Sequence, residues 1–267
     1  MDLQFQGKCA LVTGSSDGIG EAVAKALARE GAAVVVHGRS ETKAERVAKE
    51  IRNVGGQAAV ALGDLSIEHD AERVAREALA AFGGIDVLVN NVGVFPQKPW
   101  LETTAAEWND LYNQNVSSMV RMITRLVPGM KERGWGRVIQ IASGAGTKPS
   151  RAMGNYAVTK TANVMVSVSL AMELAGTGVT ANTVSPGPIL TGGLREMVLA
   201  MAQGRGWGND WDEIERMFVA EFAPTMTGRI GRPEDVANVV AFLASPLAGN
   251  VTGANYRVDG GYVGTVN

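Results

Sequence analysis

The chain has 267 residues, of which 46% are hydrophobic and 19% are charged, and its formal net charge is −2. A chain of this length and composition can bury a sizeable core, which excludes an intrinsically disordered protein. Clustered Lys and Arg are needed to neutralise phosphates, and the sequence has no basic block, so we do not expect nucleic acid as a partner.

Signals for export, membrane insertion and metal binding are missing from the sequence. The N-terminal "MDLQFQGK" lacks a basic segment followed by an apolar one, so we expect no signal peptide. No run of about 18 apolar residues predicts a membrane span. Cys9 is the single cysteine and lies in the apolar run "CALV", which favours packing over a reactive thiol. No Cys/His cluster has zinc-ligand spacing, so no metal is expected, and a reducing cytoplasm is the expected location.

Apolar runs rich in Val, Ile and Ala alternate with segments of helical periodicity. These runs predict strands at residues 8–13, 33–37, 57–62, 87–90, 137–141 and 180–184, with a last strand near 255–258. Because the runs are continuously apolar, they indicate a parallel sheet that is covered on both faces. The βαβ alternation predicts an α/β fold, a Rossmann-type doubly wound parallel sheet with helices on both faces, in three layers (α/β/α), with residues 1–267 forming one domain.

A glycine-rich turn follows the first predicted strand, in "TGSSDGIGEAVAKAL" at residues 13–27. Gly14, Gly18 and Gly20 permit a tight turn in which a pyrophosphate approaches backbone N–H groups at the start of a helix. A strand before the turn and an amphipathic helix after it favour a dinucleotide site over the alternative of an ordinary glycine-rich turn. We predict that Ser16 and Ile19 of the same turn also contact the cofactor.

The second strand ends in "VVVHGRS", where dinucleotide folds often carry an acidic residue for the ribose 2′-hydroxyl. Gly38 stands at that place and Arg39 follows, and a guanidinium can pair with a 2′-phosphate, so we predict NADP(H) rather than NAD(H). The alternative is that Arg39 only caps a strand at the surface. His37 is predicted to be a packing residue rather than a ligand.

Three residues around the fifth strand form a candidate reactive group. Ser143 follows this strand in "VIQIASGAG", at the edge where open α/β sheets bind ligands. Tyr156 and Lys160 are four residues apart and share one helix face, so the ammonium is expected to lower the pKa of the phenol and permit proton transfer near neutral pH. A Tyr-x-x-x-Lys pair alone can arise by chance, and its combination with Ser143 and the glycine turn supports a catalytic role.

A long irregular region between residues 186 and 233 follows the sixth strand. Its position predicts a substrate lid over residues 188–230, with helical pieces at 194–202 and 210–222. Met and aromatic residues at helical spacing in this lid are more often packing than substrate contacts, and substrate contact by Trp207 or Trp211 stays the less favoured alternative.

These motifs resemble those of the short-chain dehydrogenase/reductase superfamily, whose single-domain members are NAD(P)-dependent oxidoreductases. Matching segments occur in order along nearly the whole chain: "TGSSDGIG", "GDLS" at 63–66, "NNVG" at 90–93, "NQNVSS" around Asn115, "IASGAG", "YAVTK", "NTVSPGPILT" at 182–191 and "GRPEDVA…FLASPLAGNVTGANYRVDGG". The resemblance extends to members described as 3-oxoacyl thioester (acyl-carrier-protein) reductases. Val92 replaces a common alanine and Ala142 a common serine, and neither change removes a catalytic residue.

The resemblance implies a role for each matching position. Tyr156 corresponds to the general acid for carbonyl reduction and the base in reverse, and Ser143 to the residue that holds the carbonyl oxygen. Lys160 corresponds to the residue that lowers the pKa of the tyrosine and holds the nicotinamide ribose, and Asn115 to the one that binds a water linking this lysine to solvent. Further cofactor contacts are implied at Asp64, Leu65, Asn91, Gly93, Pro186, Gly187, Ile189 and Thr191.

The sequence therefore predicts an NADPH-dependent carbonyl reductase acting on a ketone such as a 3-oxoacyl thioester. Two alternatives stay open: an NAD-preferring dehydrogenase of a sugar, polyol or steroid-like alcohol, and a non-catalytic nucleotide-sensing module. Residues 161–172 are apolar or small nearly all round the helix, which predicts that a second subunit covers its outer face. The resemblance implies a homotetramer.

Overall fold

Seven strands form one parallel sheet in the computed structural model, which describes residues 2–265. They are β1 Cys9–Val12, β2 Ala33–Gly38, β3 Gln57–Leu62, β4 Val87–Asn90, β5 Gly136–Ile141, β6 Val179–Pro186 and β7 Asn255–Val258. Each predicted strand is found to within one residue at either end, except that β6 continues two residues further, to Pro186. The β6 extension matters because it carries the main chain to the edge at which the candidate site lies.

Helices connect the strands and cover both faces of the sheet. They are α1 Gly18–Arg29, α2 Glu41–Asn53, α3 Glu68–Phe82, α4 Ala105–Tyr112, α5 Ser118–Glu132, α6 Gly154–Glu173, α7 Gly192–Arg205, α8 Trp211–Glu221 and α9 Pro233–Ala244, with a π-helical turn Asn113–Ser117 between α4 and α5. Val34 and Val36 pack on one face with residues of α1, α2 and α9, whereas Val35 packs on the other with residues of α3 and α5. The predicted doubly wound, three-layer fold is confirmed.

The strand order β3-β2-β1-β4-β5-β6-β7 places β1 beside β4, so the chain winds outward in both directions from this pair. Open α/β sheets bind ligands outside the carboxyl ends of their strands at such a switch point. The segments that follow β1, β4 and β5 are "TGSSDGIG", "NNVG" and "ASGAG", the motifs singled out in the sequence. The topology therefore brings these distant motifs to one edge of the sheet.

The segment between β6 and α9 forms a small hydrophobic core of its own. Its buried members come from α7, α8 and the loops beside them: Val198, Ala202, Trp207, Ile214, Phe218, Val219, Ala223 and Ile230. The α7 helix is longer than predicted, because Thr191 caps its start and Gly206, with φ of +69°, ends it in the left-handed conformation. The predicted second helix is found one residue shorter at each end, as α8.

Within residues 2–265, no helix is long and apolar enough to cross a membrane. The same part of the chain contains no group of three or more His, Cys, Asp or Glu side chains placed to hold a metal ion. Cys9 is buried, and burial raises the pKa of its thiol to about 12, which agrees with a packing role. The expected cytoplasmic location stays a prediction.

Candidate active site

The turn after β1 requires its three glycines for two separate reasons. Gly14 and Gly18 have φ of +63° and +56°, in the left-handed region that side chains disfavour. A Cβ at Gly20 would lie 2.3 Å from the carbonyl oxygen of Gly14, which would force the turn and the helix apart. The turn therefore brings main-chain N–H groups and the positive end of α1 close to the sheet edge, an arrangement that suits an anion.

His37 stabilises this turn from the end of β2. Its Nδ1 accepts from Gly14 N–H over 3.0 Å, and its Nε2 lies 3.2 Å from the carbonyl oxygen of Gly63. Burial lowers the pKa of the imidazole to about 4, so the ring is neutral and can accept on one nitrogen and donate on the other. The sequence predicted only packing for His37; a polar residue within an apolar strand was the signal for this further role.

A cavity of about 320 Å³ lies beside the turn. The predicted cofactor residues that line it are Gly14, Ser16, Arg39, Asp64, Leu65, Asn91 and Gly93. Arg39 Nη1 and Asp64 Oδ2 are 3.6 Å apart, an exposed ion pair across the ends of β2 and β3. Burial opposes ionisation of Asp64, but hydrogen bonds from Ser66 and the Arg39 guanidinium outweigh it and lower the pKa of this carboxyl.

A side chain at Gly38 would crowd Ser16 in this cavity. A Cβ there would lie 2.7 Å from the Ser16 hydroxyl, so any larger residue would displace the turn or rotate that side chain. Glycine at this position thus lets β2 approach the glycine turn closely.

A second cavity of about 500 Å³ continues from the first and shares Asn91 and Gly93 with it. The other predicted residues in its wall are Ile19, Ser143, Tyr156, Lys160, Pro186, Gly187, Ile189 and Thr191. The two cavities form one cleft along the carboxyl ends of the strands. Gly18, Gly20 and Asn115 are the predicted site residues outside these walls, and they lie in the turn or the π-helical turn behind them.

Ser143 and Tyr156 converge in the wall of the second cavity. Ser143 lies just beyond β5, and its side chain also caps a short 3₁₀ turn by accepting from Ala145 N–H over 3.1 Å. Tyr156 is in the first turn of α6, and its ring packs edge-on against Phe95. Burial raises the pKa of Tyr156, and the nearby Ser143 hydroxyl acts in the opposite direction.

Lys160 is buried beneath this pair, with 4% of its side chain exposed. Its Nζ donates to the carbonyl oxygen of Ile141 over 3.0 Å and lies 5.6 Å from the centroid of the Tyr156 ring. Burial lowers the pKa of Lys160 itself to about 8. Burial of the phenol has the larger effect and raises the pKa of Tyr156, so the lowering of that pKa by this ammonium stays a prediction.

Asn115 lies in the π-helical turn, where its side chain joins three parts of the site. Its Nδ2 donates to the carbonyl oxygen of Val94 over 2.9 Å and to Thr159 Oγ1 over 3.1 Å, while its Oδ1 accepts from Val94 N–H over 2.8 Å. A Cβ at Gly93 would lie 3.1 Å from Lys160 Nζ and 3.4 Å from Asn115 Oδ1, so glycine lets the segment after β4 approach both groups. The water-binding role of Asn115 stays a prediction, since its side chain is engaged by protein.

Asn163 was missed in the sequence and lies directly behind this turn. With its amide oriented to satisfy its neighbours, its nitrogen donates to the main-chain carbonyl oxygens of Asn115 and Thr159, each 3.1 Å away. The side chain is fully buried. An asparagine on the inward face of an otherwise apolar helix was the signal that could have revealed it.

The lid tryptophans occupy structural positions. Trp207 is buried in the lid core, and Trp211 donates from Nε1 to Glu215 over 3.0 Å. Neither lines the cavity beside Tyr156, whereas Leu194, Met197, Phe218 and Phe222 of the lid do. Packing, the favoured interpretation of both tryptophans, agrees with this placement.

The comparisons with known proteins agree with this geometry. The sequence model of the short chain dehydrogenase family matches residues 8–201. The chain belongs to the short chain dehydrogenase family. The uncharacterized oxidoreductase YvaG of Bacillus subtilis is 40% identical to this short chain dehydrogenase over 267 residues, which cover 100% of both chains. The 3-oxoacyl-[acyl-carrier-protein] reductase FabG of Vibrio cholerae is 36% identical over 259 residues, covering 97% of this chain and 98% of that protein.

A solved structure resembles the short chain dehydrogenase over its full length. The L-sorbose reductase from Gluconobacter frateurii, complexed with NADPH and L-sorbose, has a TM-score of 0.93 and 33% identity, with 100% of each chain covered. Family membership makes the protein an oxidoreductase that acts on alcohol and carbonyl groups, and it supports the use of a nicotinamide cofactor.

Proposed function

We propose that this short chain dehydrogenase is an NADPH-dependent carbonyl reductase that transfers a hydride to a ketone and, in reverse, oxidises the alcohol. The observation that carries this proposal is that Ser143 and Tyr156 line one cavity wall, with the buried ammonium of Lys160 beside them. A hydroxyl and a phenol that converge on one cavity can both bind the oxygen of a single carbonyl group.

Different side chains of the protein orient the carbonyl group and protonate its oxygen. Ser143 Oγ donates to this oxygen and orients the carbonyl, while Tyr156 donates its phenolic proton to it as the alcohol forms. Lys160 provides a positive charge near the phenolate that remains. The nicotinamide supplies the hydride when bound, and its positive oxidised ring favours ionised Tyr156, which offsets the raised pKa that burial gives the phenol.

The residues along the cleft fit a dinucleotide. The glycine turn and the N-terminus of α1 would hold the pyrophosphate, and Asp64 and Leu65 would contact the adenine, with Asn91 and Gly93 along the adenosine ribose. Lys160 would hold the nicotinamide ribose. The segment after β6 would lie along the nicotinamide ring, through Pro186, Gly187, Ile189 and Thr191.

Arg39 supports NADP(H) over NAD(H). Its guanidinium lies in the wall of the smaller cavity, and Gly38 offers no carboxylate for a 2′-hydroxyl. A 2′-phosphate could pair bidentately with Arg39 in place of the 3.6 Å contact to Asp64. The NADPH in the L-sorbose reductase structure is consistent with this preference.

The larger cavity supports a carbonyl substrate with an apolar portion. Lid residues 188–230 contribute apolar side chains, and we propose that this segment covers the substrate and excludes water. A 3-oxoacyl thioester fits these walls, and FabG is named for such a substrate. The second candidate is an NAD-preferring dehydrogenase of a sugar, polyol or steroid-like alcohol, and the match to L-sorbose reductase supports a sugar as the substrate.

A non-catalytic nucleotide-sensing module is the candidate from another class. A sensor has no need of a phenol, a hydroxyl and a buried ammonium gathered beside the nicotinamide end of the cleft. The presence of Ser143, Tyr156 and Lys160 together therefore favours turnover over sensing.

We propose further that the enzyme is a homotetramer. The outer face of α6 exposes an uncharged stripe at helical spacing: Val158, Thr161, Met165, Ser169 and Met172. Met165 and Met172 are 62% and 76% exposed, which is unusual for large apolar side chains on one stripe of a monomer. A second subunit would remove this stripe from water, and a chain that sediments as a monomer at micromolar concentration would contradict the assembly.

The proposed reaction is tested with purified protein, NADPH or NADH, and a panel that contains a 3-oxoacyl thioester, a ketose and a keto-steroid. Loss of nicotinamide absorbance with NADPH and the thioester is the expected result. Preference for the ketose or the keto-steroid would select the second candidate. Binding of NADPH without turnover of any carbonyl or alcohol would favour the sensor.

A further inference from the structure

Lys148 places a positive charge in the wall of the larger cavity. It follows the 3₁₀ turn Gly144–Gly146, five residues beyond Ser143 on the same loop. Its Nζ donates to the carbonyl oxygen of Tyr262 over 3.1 Å and lies 4.3 Å from the centroid of the Tyr262 ring. These two contacts hold the ammonium beside the cavity. Without them, the lysine side chain would extend into water.

The cavity offers this charge no carboxylate. None of the described residues that line it is Asp or Glu, and within residues 2–265 no carboxylate oxygen lies within 4.0 Å of Lys148. Asp259, the acidic residue nearest in sequence to Tyr262, accepts from the N–H groups of Gly261 and Val263 and so stabilises its own turn. Lys160, the other cation in the wall, is buried and donates to Ile141.

Polar groups elsewhere in the cavity wall could contribute further donors to an anion. Gln97 and Ser150 line the same cavity and carry neutral hydrogen-bond donors. An anionic oxygen at this end would gain a charge-assisted hydrogen bond from an ammonium that no carboxylate neutralises. A neutral substrate gains no such attraction to the ammonium.

We propose that Lys148 forms an anion subsite, so that the preferred ketone substrate carries a carboxylate or a phosphate. The inference rests on the proposed carbonyl reduction and narrows its substrate to an anionic class. The anion has two possible sources: the carboxylate of a short keto acid itself, or a phosphate on the carrier portion of a thioester. Both sources present the same negatively charged oxygen atoms to the ammonium.

Four substrates in two matched pairs test the proposal. The first pair is 3-oxobutanoate and its methyl ester; the second is 3-oxobutyryl coenzyme A and the phosphate-free N-acetylcysteamine thioester. Lys148→Met is expected to lower kcat/KM about tenfold for the charged member of one pair, with its neutral member unchanged, whereas Lys148→Arg retains the preference. A lower kcat/KM for the charged member of the first pair identifies a carboxylate, and a lower kcat/KM for that of the second pair identifies a phosphate. Lys49→Met, at an exposed lysine of α2 outside both cavities, is the matched control.

The outcomes separate this inference from the function on which it rests. Turnover of the neutral substrates with no charge preference, or an equal effect of Lys148→Met on both members of each pair, overturns the subsite and leaves carbonyl reduction intact. Absence of turnover with all four substrates overturns the subsite alone if the ketose or the keto-steroid is reduced, and contradicts both proposals if no carbonyl is reduced. Rising salt should also reduce the wild-type preference for the charged member, because the ammonium is exposed.

Discussion

The ammonium of Lys160 is buried and donates a hydrogen bond to the carbonyl oxygen of Ile141 over 3.0 Å. One carbonyl is a weak counterpart for a buried charge, and the pKa of Lys160 is accordingly lowered from 10.5 to about 8. The charge proposed to serve catalysis therefore lowers the stability of the fold.

Replacing Lys160 by Met should increase the free energy of unfolding at pH 7, by up to roughly 3 kcal/mol for this pKa difference, and should abolish reduction. Between about pH 8 and 10.5 the unfolded chain binds the proton that the folded chain has lost, so wild-type stability rises with pH and the advantage of the variant shrinks. Urea unfolding across this range measures both effects. Lys131→Met, at an exposed lysine, should change stability little, and a Lys160→Met protein less stable than wild type at pH 7 would refute the prediction.

Arg39→Asp should reverse the cofactor preference. Removing the guanidinium should lower kcat/KM for NADPH by about 10- to 100-fold, while the new carboxylate repels the 2′-phosphate and can accept from the 2′-hydroxyl of NADH. Steady-state kinetics with both cofactors and one substrate measure the ratio. Arg29→Asp, at an exposed arginine outside the cleft, is the control. A wild-type enzyme that uses NADH as well as NADPH would show that the role assigned to Arg39 is wrong.

Asn163→Leu should lower kcat with little change in the affinity for NADPH. The substitution removes the donor shared by the carbonyl oxygens of Asn115 and Thr159, so the turn that positions Asn115 loses its support at a stability cost of about 1–3 kcal/mol. Ser167→Ala is the matched control, since Ser167 lies one turn further along α6 and hydrogen-bonds to Thr183 over 2.8 Å. Equal effects of the two substitutions on kcat at equal stability would indicate a purely structural role for Asn163.

Glu215→Gln should loosen the lid without unfolding the sheet. The Glu215 carboxylate accepts from both terminal nitrogens of Arg232 at 2.8 Å and from Ile230 N–H at 2.9 Å, in addition to the Trp211 indole. Burial opposes its ionisation, but the Arg232 hydrogen bonds outweigh it and lower its pKa, so this stabilisation is lost as the pH falls below 4.5. Hydrogen exchange of α8 should be faster in the variant at neutral pH. Glu221→Gln, at an exposed lid carboxylate, should leave it unchanged.

The fold was predictable because apolar runs of strand length recur between helical segments, and each observed strand coincides with a predicted one. The site could be assembled from motifs because parallel strands bring their carboxyl ends to one edge. The strands could be predicted without an alternation of apolar and polar residues, because the sheet is covered on both sides. Val34 and Val36 pack on one face and Val35 on the other, so successive residues are all apolar.

Other features depend on side-chain directions that no local pattern contains. Two contacts join segments that only the sheet brings together. They are the hydrogen bond from Lys160 to Ile141 and the ion pair of Arg39 with Asp64. The π-helical turn at Asn115 depends on packing against α6, which residues 113–117 alone do not reveal. His37 and Asn163 were visible only as polar residues in apolar surroundings, and their partners required the structure.

The central claim is that Tyr156 is the proton donor of a carbonyl reductase. The most direct test is Tyr156→Phe, with NADPH affinity measured by fluorescence titration and reduction measured by nicotinamide absorbance on the same protein. The proposed mechanism predicts that NADPH binding persists while kcat falls by about 100- to 10,000-fold, because the ring still fills the cavity wall and only the proton donor is lost. Reduction at close to the wild-type rate in Tyr156→Phe would contradict it.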